Sequence, residues 1–257
     1  MKKLLLLLLV LCSGMLSAQI RYSTLNAHSH NDYEQKVPFE WAYNAHFGSI
    51  EADIWEVNGD LFVAHNRDQI TPERTLEALY IQPIVARFKA NKGKAWSDRE
   101  GTFQLLIDLK TPVEPTLSLL AGKLKKYPEV FDQTANPNAV KIVISGNQPE
   151  PSQYSNYPAI ISFDGRPNQK FSPEQLKRVA IISDNLANHI EWRGKAPISD
   201  EERNKLKALI SPIHELKKPV RFWNSPDMPE AWQVMKSLQV DFINTDHIQE
   251  LADFLNQ

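Results

Sequence analysis

Cysteine is almost absent from this chain of 257 residues, since Cys12 is the only one. It lies in an N-terminal segment where two lysines precede an apolar run, and Leu16-Ser17-Ala18 has the small residues of a cleavage site. These features are typical of a secretory signal peptide, so we expect residues 1–18 to be removed and residues 19–257 to form one domain. The mature chain would then contain neither a disulfide nor a thiolate metal site.

Long hydrophobic runs are also missing. The apolar stretch Leu4–Leu11 is too short to span a bilayer, and no amphipathic membrane-binding helix stands out. We therefore expect a secreted or periplasmic protein without stable membrane insertion. A lipoprotein anchored through Cys12 is the alternative, although Leu11 precedes that cysteine where Gly or Ala is usual. The sequence does not indicate an oligomeric state.

Neither acidic nor basic residues are in large excess. Removing the two N-terminal lysines from 29 basic residues leaves 27, against 31 acidic residues, a formal net charge of −4 for the mature chain. No basic stripe with interleaved aromatic residues is present, which argues against nucleic acid as a partner. Low-complexity segments and internal repeats are absent too, so residues 19–257 are long enough to bury one large core.

The most informative stretch is Ser49–Asn66, which reads as a strand, a tight Asn58-Gly59 turn and a return strand. Glu51 and Asp53 share one face of the first strand because side chains alternate along it. Two carboxylates on an apolar strand are costly to bury unless a cation lies between them. Ca²⁺ or Mg²⁺ suits oxygen ligands, and a lysine or arginine from another strand is the alternative. The return strand places His65 near the same strand end.

Strand-like and helix-like segments alternate along the mature chain. The predicted strands are 24–30, 49–57, 103–110, 140–146, 159–166, 180–184, 219–224 and 240–246. The predicted helices are 38–48, 75–92 with a break near Pro83, 117–127, 173–178, 200–217, 230–238 and 248–255. This order indicates an α/β protein, a single (β/α)₈ barrel with a β-hairpin after strand 2. A doubly wound open sheet is the competing architecture, but no Gly-rich phosphate loop follows the first strand.

Polar side chains gather at the C-terminal ends of the predicted strands, the face where such barrels carry their active sites. They are His30, Glu51, Asp53, Asp108, Lys110, Ser145, Asp164, Arg166, Arg221, Trp223 and Asp246. We expect Asp246 to brace a loop. Trp55 and Trp223 either line the pocket or only pack.

Four segments resemble one superfamily. Ser29-His30-Asn31-Asp32-Tyr33 resembles the Ser-His-Asn-Thr-Tyr segment of phosphoinositide-specific phospholipases C. Residues 50–65 are similar to the Glu-x-Asp…His element that these enzymes share with glycerophosphodiester phosphodiesterases. Residues 106–110 resemble the third-strand Glu-x-Lys of the latter, and residues 240–246 their closing strand. The chain is therefore similar to PLC-like phosphodiesterases, in a branch that begins with His-Ser-His-Asn-Asp-Tyr.

This resemblance implies roles for individual side chains. The general acid–base pair would be His30 and His65. One Ca²⁺ or Mg²⁺ ion would be bound by Glu51, Asp53, Asp108 and Asn31. Lys110 would bind the phosphate, or neutralise Asp108, or do both.

The sequence departs from the pattern at two positions. Asn31-Asp32 stands where glycerophosphodiesterases have Arg-Gly, so a phosphate-binding arginine is missing, and Arg166 or Arg221 could replace it. Asp108 stands where they have the longer Glu. His28 shares the face of His30 and is either a ligand or a supporting partner. Trp223 and these cations are the remaining candidates for contact with substrate.

The predicted function is hydrolysis of a phosphodiester that carries a neighbouring hydroxyl, in a small molecule or a lipid head group. Glycerophosphodiesters are the first expectation, and phosphoinositide or sphingomyelin-type substrates the second. A metal-independent glycoside hydrolase would also use paired carboxylates. A non-catalytic barrel that binds a sugar phosphate or lipid is the third alternative.

Overall fold

The computed structural model describes residues 21–257. The predicted signal peptide, residues 1–18, lies outside this range. Within residues 21–257, no helix combines the length and the apolar character that a membrane crossing requires.

Strands and helices alternate through the described range, and one sheet contains all nine strands. The strands are β1 (Ala27–Ser29), β2 (Ser49–Val57), β3 (Asp60–Val63), β4 (Gln104–Leu109), β5 (Lys141–Gly146), β6 (Ile161–Gly165), β7 (Val179–Asn185), β8 (Val220–Trp223) and β9 (Ile243–Thr245). The helices are α1 (Glu40–Asn44), α2 (Gln82–Ala90), α3 (Val113–Leu124), α4 (Pro128–Phe131), α5 (Pro173–Arg178), α6 (Asp200–Glu215), α7 (Pro229–Ser237) and α8 (Ile248–Leu255).

Eight of the strands run parallel and form a nearly closed barrel. Their order is β8-β7-β6-β5-β4-β2-β1-β9. A parallel bridge between Arg221 and Phe242 joins β8 to the segment before β9, and the Phe242 amide donates to the Val220 carbonyl at 3.1 Å. The predicted (β/α)₈ barrel is therefore confirmed.

The ninth strand, β3, belongs to the predicted hairpin. It pairs antiparallel with β2 across a turn in which Asn58 and Gly59 have φ of 52° and 82°. Positive φ at both turn residues matches the right-handed twist of the flanking strands and favours Asn-Gly. Beyond β3, the Ala64 amide donates to the Asp53 carbonyl at 3.3 Å, which holds the segment carrying His65 against β2.

Side chains on the barrel strands pack in two directions. On β4, Leu105 and Ile107 belong to the large core between the sheet and the helices. Leu106 points the other way and packs with Val143 and Ile181 in a small cluster. Strand β4 is thus buried on both faces, as its near-continuous apolar sequence predicts. The inner face is polar at Ser49 and Gln104, the first residues of β2 and β4, and again towards the C-terminal strand ends.

Helix ends follow local sequence signals. The Ser172 and Ser199 hydroxyls accept hydrogen bonds from the backbone amides of Gln175 and Glu202, the third residues of α5 and α6. Such caps satisfy amides that lack a partner within the helix. Pro173 and Pro229 occupy the first turns of α5 and α7, where a missing N–H costs nothing. The predicted bounds of α5 and α8 agree with the structure.

The predicted helix 38–48 is observed only over Glu40–Asn44, other bounds differ by a few residues, and two elements differ in kind. The first strand is shorter than predicted, because Thr24–Asn26 form a 3₁₀ turn capped by Ser23. The predicted helix 75–92 begins as a π-helical turn over Glu77–Ile81 before α2. Pro83 has no N–H to donate to the preceding turn, so regular α-helical bonding is interrupted there.

Gly48 allows β2 to begin beside the 3₁₀ turn. A Cβ at this position would lie 2.0 Å from the Leu25 carbonyl oxygen. Backbone cannot move aside as a flexible side chain can, so Gly48→Ala should lower the free energy of unfolding by about 3 kcal/mol, measured by urea denaturation. Gly122→Ala is the control: its Cβ would meet nothing within 4 Å in α3, and it should stabilise by about 0.5–1 kcal/mol. Equal effects of the two substitutions on the free energy of unfolding would contradict a steric requirement for glycine at position 48.

Candidate active site

Three carboxylates converge on the inner face at the C-terminal end of the barrel. Glu51 and Asp53 follow each other at period two on β2, and Asp108 lies directly opposite Asp53 on β4. Glu51 is 6% exposed and Asp53 only 1%, so neither charge is stabilised mainly by water. Like charges this close require neighbouring cations. We call Glu51, Asp53 and Asp108 the carboxylate cluster.

Arg221 supplies one of these cations. Its Nη1 donates to Glu51 Oε2 at 2.9 Å and lies 2.5 Å from His28 Nε2, and both charged side chains are nearly inaccessible. Burial alone would raise the pKa of Glu51, but the Arg221 charge and the hydrogen bond to His28 hold it well below its ordinary value. Glu51 is therefore a carboxylate with a built-in counter-ion.

His28 lies beneath this pair and connects it to the base of the barrel. Its Nε2 is 2.7 Å from Glu51 Oε2, its Nδ1 is 2.6 Å from Ser49 Oγ, and Ser49 Oγ accepts from Gln104 at 2.9 Å. Burial and the neighbouring Arg221 lower the pKa of His28 to about 3. His28 is thus neutral and acts as a hydrogen-bonding support of Glu51.

Lys110 is the second cation. Its Nζ lies 2.9 Å from Asp53 Oδ2 and 2.8 Å from Asp108 Oδ1, between the two opposed carboxylates. Burial, with the charge of Glu51, raises the pKa of Asp53 to about 6, and burial also raises the pKa of Asp108. Burial lowers the pKa of Lys110, but the charges of both aspartates outweigh it and leave that pKa above its ordinary value. Lys110 is therefore a protonated bridge.

Tyr33 connects Asp53 to two further candidates. Its hydroxyl lies 2.6 Å from Asp53 Oδ2, 2.7 Å from Asn31 Oδ1 and 3.1 Å from His65 Nδ1. His65 Nδ1 is also 3.4 Å from Asp53 Oδ2. Because Nδ1 faces the protein, Nε2 is the nitrogen that remains for a substrate. The His65 side chain is 48% exposed, as an approachable group must be.

The loop that carries Asn31 and Tyr33 is fixed by Asp32. This buried carboxylate accepts from Ser29 Oγ at 2.8 Å, the Phe39 amide at 2.6 Å and the Tyr80 hydroxyl at 2.9 Å. Burial raises the pKa of Asp32 to about 6, against the lowering effect of these hydrogen bonds. Asp32 thus holds the loop that follows β1 in place.

His30 lies on the other side of this loop and pairs with Asp246. His30 Nδ1 is 2.8 Å from Asp246 Oδ1. Burial acts to lower the pKa of His30, but the hydrogen bond to Asp246 and the charge of Glu51 leave it raised. Asp227 fixes Asp246 in turn, since its Oδ2 accepts from the Asp246 amide at 2.7 Å. Asp246 therefore contacts a candidate catalytic histidine, a closer role than the bracing role predicted from sequence.

Arg166 belongs to a separate group on β5, β6 and β7. Its Nη1 lies 2.9 Å from buried Asp164 Oδ2, which also accepts from Ser145 and Ser183. Both arginines proposed as phosphate ligands therefore pair with buried carboxylates in this structure. Trp223 ends β8 opposite Asn185 and is half-buried.

A divalent cation fits the donor chemistry of the carboxylate cluster. Asp53 Oδ1 is buried and has no hydrogen-bond partner among residues 21–257. The cluster also carries three negative charges against the two positive charges of Arg221 and Lys110. However, no three His, Cys, Asp or Glu side chains in the described range are arranged as a metal-binding group, and the Lys110 ammonium lies between two of the carboxylates.

Sequence reasoning did not single out Tyr33, Asp32 or Asp227. Tyr33 and Asp32 lie inside the motif that begins at Ser29, so position within the motif was the available signal. Asp227 precedes α7 and carried no signal, since its partner Asp246 is 19 residues away and the contact is to backbone.

Comparison with known proteins identifies the family. Residues 17–157 match the AIM6-like phosphodiesterase domain. The chain belongs to this family. Its fold also matches a glycerophosphodiester phosphodiesterase from Parabacteroides distasonis (TM-score 0.51, 14% identity, 90% of this chain and 95% of that one). A putative enzyme of the same type from Galdieria sulphuraria matches similarly (TM-score 0.53, 14% identity, 90% and 96% covered). At these identities the structures show a shared barrel.

The sequence similarity to curated relatives covers most of this chain. The Kluyveromyces lactis protein named altered inheritance of mitochondria protein 6 is 28% identical, covering 89% of this chain and 72% of that protein. The homolog from Arthroderma benhamiae is 25% identical, covering 86% and 81%. Family and fold together confirm the predicted resemblance to PLC-like phosphodiesterases and support a phosphodiester hydrolase.

The buried pair of Glu51 and Arg221 predicts a strong energetic coupling. Removing one partner leaves an uncompensated buried charge, so Arg221→Met or Glu51→Gln alone should cost about 3–5 kcal/mol of unfolding free energy. The double variant should cost clearly less than the sum. Urea denaturation of the four proteins measures this.

An exposed pair provides the control. Lys205 and Glu201 lie 2.7 Å apart on α6, at the protein surface. The same cycle with Glu201→Gln and Lys205→Met should show a coupling of at most about 0.5 kcal/mol, because water screens exposed charges. An equally small coupling free energy between Glu51 and Arg221 would contradict a strong buried ion pair.

Proposed function

We propose that this chain is an exported, metal-dependent phosphodiesterase that cleaves glycerophosphodiesters, with His30 as general base and His65 as general acid. The observation that carries the proposal is the pair of histidines, each held through Nδ1: His30 by Asp246, and His65 by Tyr33 and Asp53. Family membership supports phosphodiester hydrolysis as the reaction type. The signal-peptide pattern of residues 1–18 supports export.

His30 suits the role of base. A carboxylate on Nδ1 orients an imidazole and stabilises the imidazolium that forms when Nε2 takes a proton. Asp246 is so placed, and it contributes to the raised pKa of His30. We propose that His30 removes the proton from a substrate hydroxyl next to the phosphate. That oxygen then attacks phosphorus and forms a cyclic phosphate, which water opens in a second step.

His65 suits the role of acid. As the bond from phosphorus to the leaving oxygen breaks, His65 Nε2 gives that oxygen a proton, and Tyr33 with Asp53 holds the ring by Nδ1. Lys110 brings positive charge to the same strand ends, where negative charge develops on the phosphorus oxygens.

The metal would be held by Glu51, Asp53 and Asp108, with Asn31 as a fourth ligand. When bound, it would neutralise charge on the phosphorus oxygens. The surplus negative charge of the cluster and the unpartnered Asp53 Oδ1 support this assignment.

Substitution of the histidines tests the proposal. His30→Ala and His65→Ala should each lower kcat for glycerophosphocholine about 10²- to 10⁴-fold, measured by choline release, because each removes one proton transfer. His189→Ala is the control: His189 also pairs with an aspartate, Asp184 at 3.0 Å, but has no contact with the carboxylate cluster. Wild-type turnover by His30→Ala or His65→Ala would contradict the catalytic role of that histidine.

The pH profile tests the base. A general base must be unprotonated, so activity should fall as the pH drops through the pKa of His30. Asp246→Asn removes a cause of the raised pKa, and the acidic limb of kcat/KM should shift to lower pH. A shift of the alkaline limb instead would reverse the roles of the two histidines.

Cation binding is tested without activity. Ca²⁺ or Mg²⁺ should raise Tm of the wild type, and EDTA should reverse the effect, because a ligand that binds only the folded state stabilises it. Asp108→Asn should weaken the shift, while exposed Glu129→Gln should leave it unchanged. A wild-type Tm indifferent to both ions would refute the metal assignment.

A further inference from the structure

Arg74 stands apart from the other cations near the site. Arg221, Arg166 and Lys110 each contact a buried carboxylate, whereas Arg74 has no carboxylate within 4.0 Å among residues 21–257. Its guanidinium is nevertheless held firmly: Nη2 donates to the Tyr33 carbonyl at 2.6 Å and Nε to the Val63 carbonyl at 3.3 Å. These bonds leave Nη1 without a described partner.

Arg74 lines a pocket of about 380 Å³ together with His65. The pocket lies between the loop after β1 and the segment after β3, and Gln35 and Gln69 also line it. Gln69 Oε1 accepts from the Asn66 amide and Gln35 Nε2 donates to the Asp246 carbonyl, so both side-chain amides are fixed in orientation. The wall therefore combines the guanidinium of Arg74, which has no carboxylate partner among residues 21–257, with neutral amide groups. Exposed Glu34 is its only acidic member.

The pocket also adjoins His65, whose Nε2 we propose as the proton donor to the leaving alcohol. His65 Nδ1 faces Tyr33 and Asp53, and the ring contributes to the pocket wall. An alcohol protonated by His65 Nε2 would therefore leave into this space. Its substituents would come within reach of Arg74.

We infer that this pocket binds an anionic group, a carboxylate or a phosphate, on the leaving alcohol, and that Arg74 selects for it; the inference rests on the proposed function. An N–H of Nη1 and the remaining N–H of Nη2 can donate parallel hydrogen bonds to the two oxygens of such an anion. No existing ion pair has to break, so the full interaction is available to the ligand. A neutral or cationic leaving alcohol cannot make this interaction with Arg74.

Two substrates that differ by one carboxylate test this. Glycerophosphoserine and glycerophosphoethanolamine share every other group, so the ratio of their kcat/KM values isolates the anion. The wild type should favour glycerophosphoserine at least about tenfold, since hydrogen bonds between charged groups are strong. Arg74→Gln should bring the ratio close to one, through loss on glycerophosphoserine alone. Arg74→Lys, which keeps the charge but loses the paired donors, should fall between.

Arg67→Gln is the matched control, because Arg67 is an exposed arginine nearby that does not line the pocket. It should leave the ratio unchanged. An equal loss on both substrates in Arg74→Gln would show that Arg74 only braces the two backbone carbonyls, and would overturn the inference. So would a wild-type ratio near one.

Direct binding separates this inference from the proposed function. If neither compound is hydrolysed, the proposed function fails, but calorimetric Kd values for the same two compounds still decide the role of Arg74. Tighter binding of glycerophosphoserine that is lost in Arg74→Gln supports the inference. Equal Kd values, or no binding of either compound, overturn it.

Discussion

The pairing of buried carboxylates with internal cations is the constraint on which this barrel depends. Glu51 and Asp53 lie on an inner face where water cannot stabilise them. Their burial is possible because Arg221 on β8 pairs with Glu51, and Lys110, directly after β4, pairs with Asp53. Either carboxylate left alone would shift to its neutral form or destabilise the fold. The site is therefore part of the core, and its charges must be balanced before any chemistry can occur.

Because of this requirement, the barrel interior contains an apolar region and a polar region. Leu106, Val143 and Ile181 fill one region with apolar contacts, while His28 and Ser49 continue the polar network below Glu51. Parallel pairing in register carries the carboxylates of neighbouring strands to one height, where the C-terminal loops add their own groups. The strands thus supply the carboxylate cluster, and the segments after β1 and β3 supply His30 and His65, the proposed proton-transfer pair.

Local patterns in the sequence predicted the barrel, the hairpin and the carboxylate cluster. Period two places Glu51 beside Asp53, and Asn58-Gly59 specifies the turn, because both depend on adjacent residues. Partners distant in sequence could not be paired in this way. Glu51 meets Arg221 across 170 residues, and strand order alone leaves many arginines as candidates. The loop contacts of Tyr33 and Arg74 depend on backbone positions that no periodicity encodes.

The proposed mechanism requires the phosphate to bind between His30 and His65, above the carboxylate cluster. A crystal structure of residues 19–257 with tungstate, a phosphate analogue located by its anomalous scattering, tests this requirement. Tungstate should lie within hydrogen-bond distance of both imidazoles, with Lys110 as a third contact. Tungstate bound only at other surfaces, with nothing between the two histidines, would contradict it.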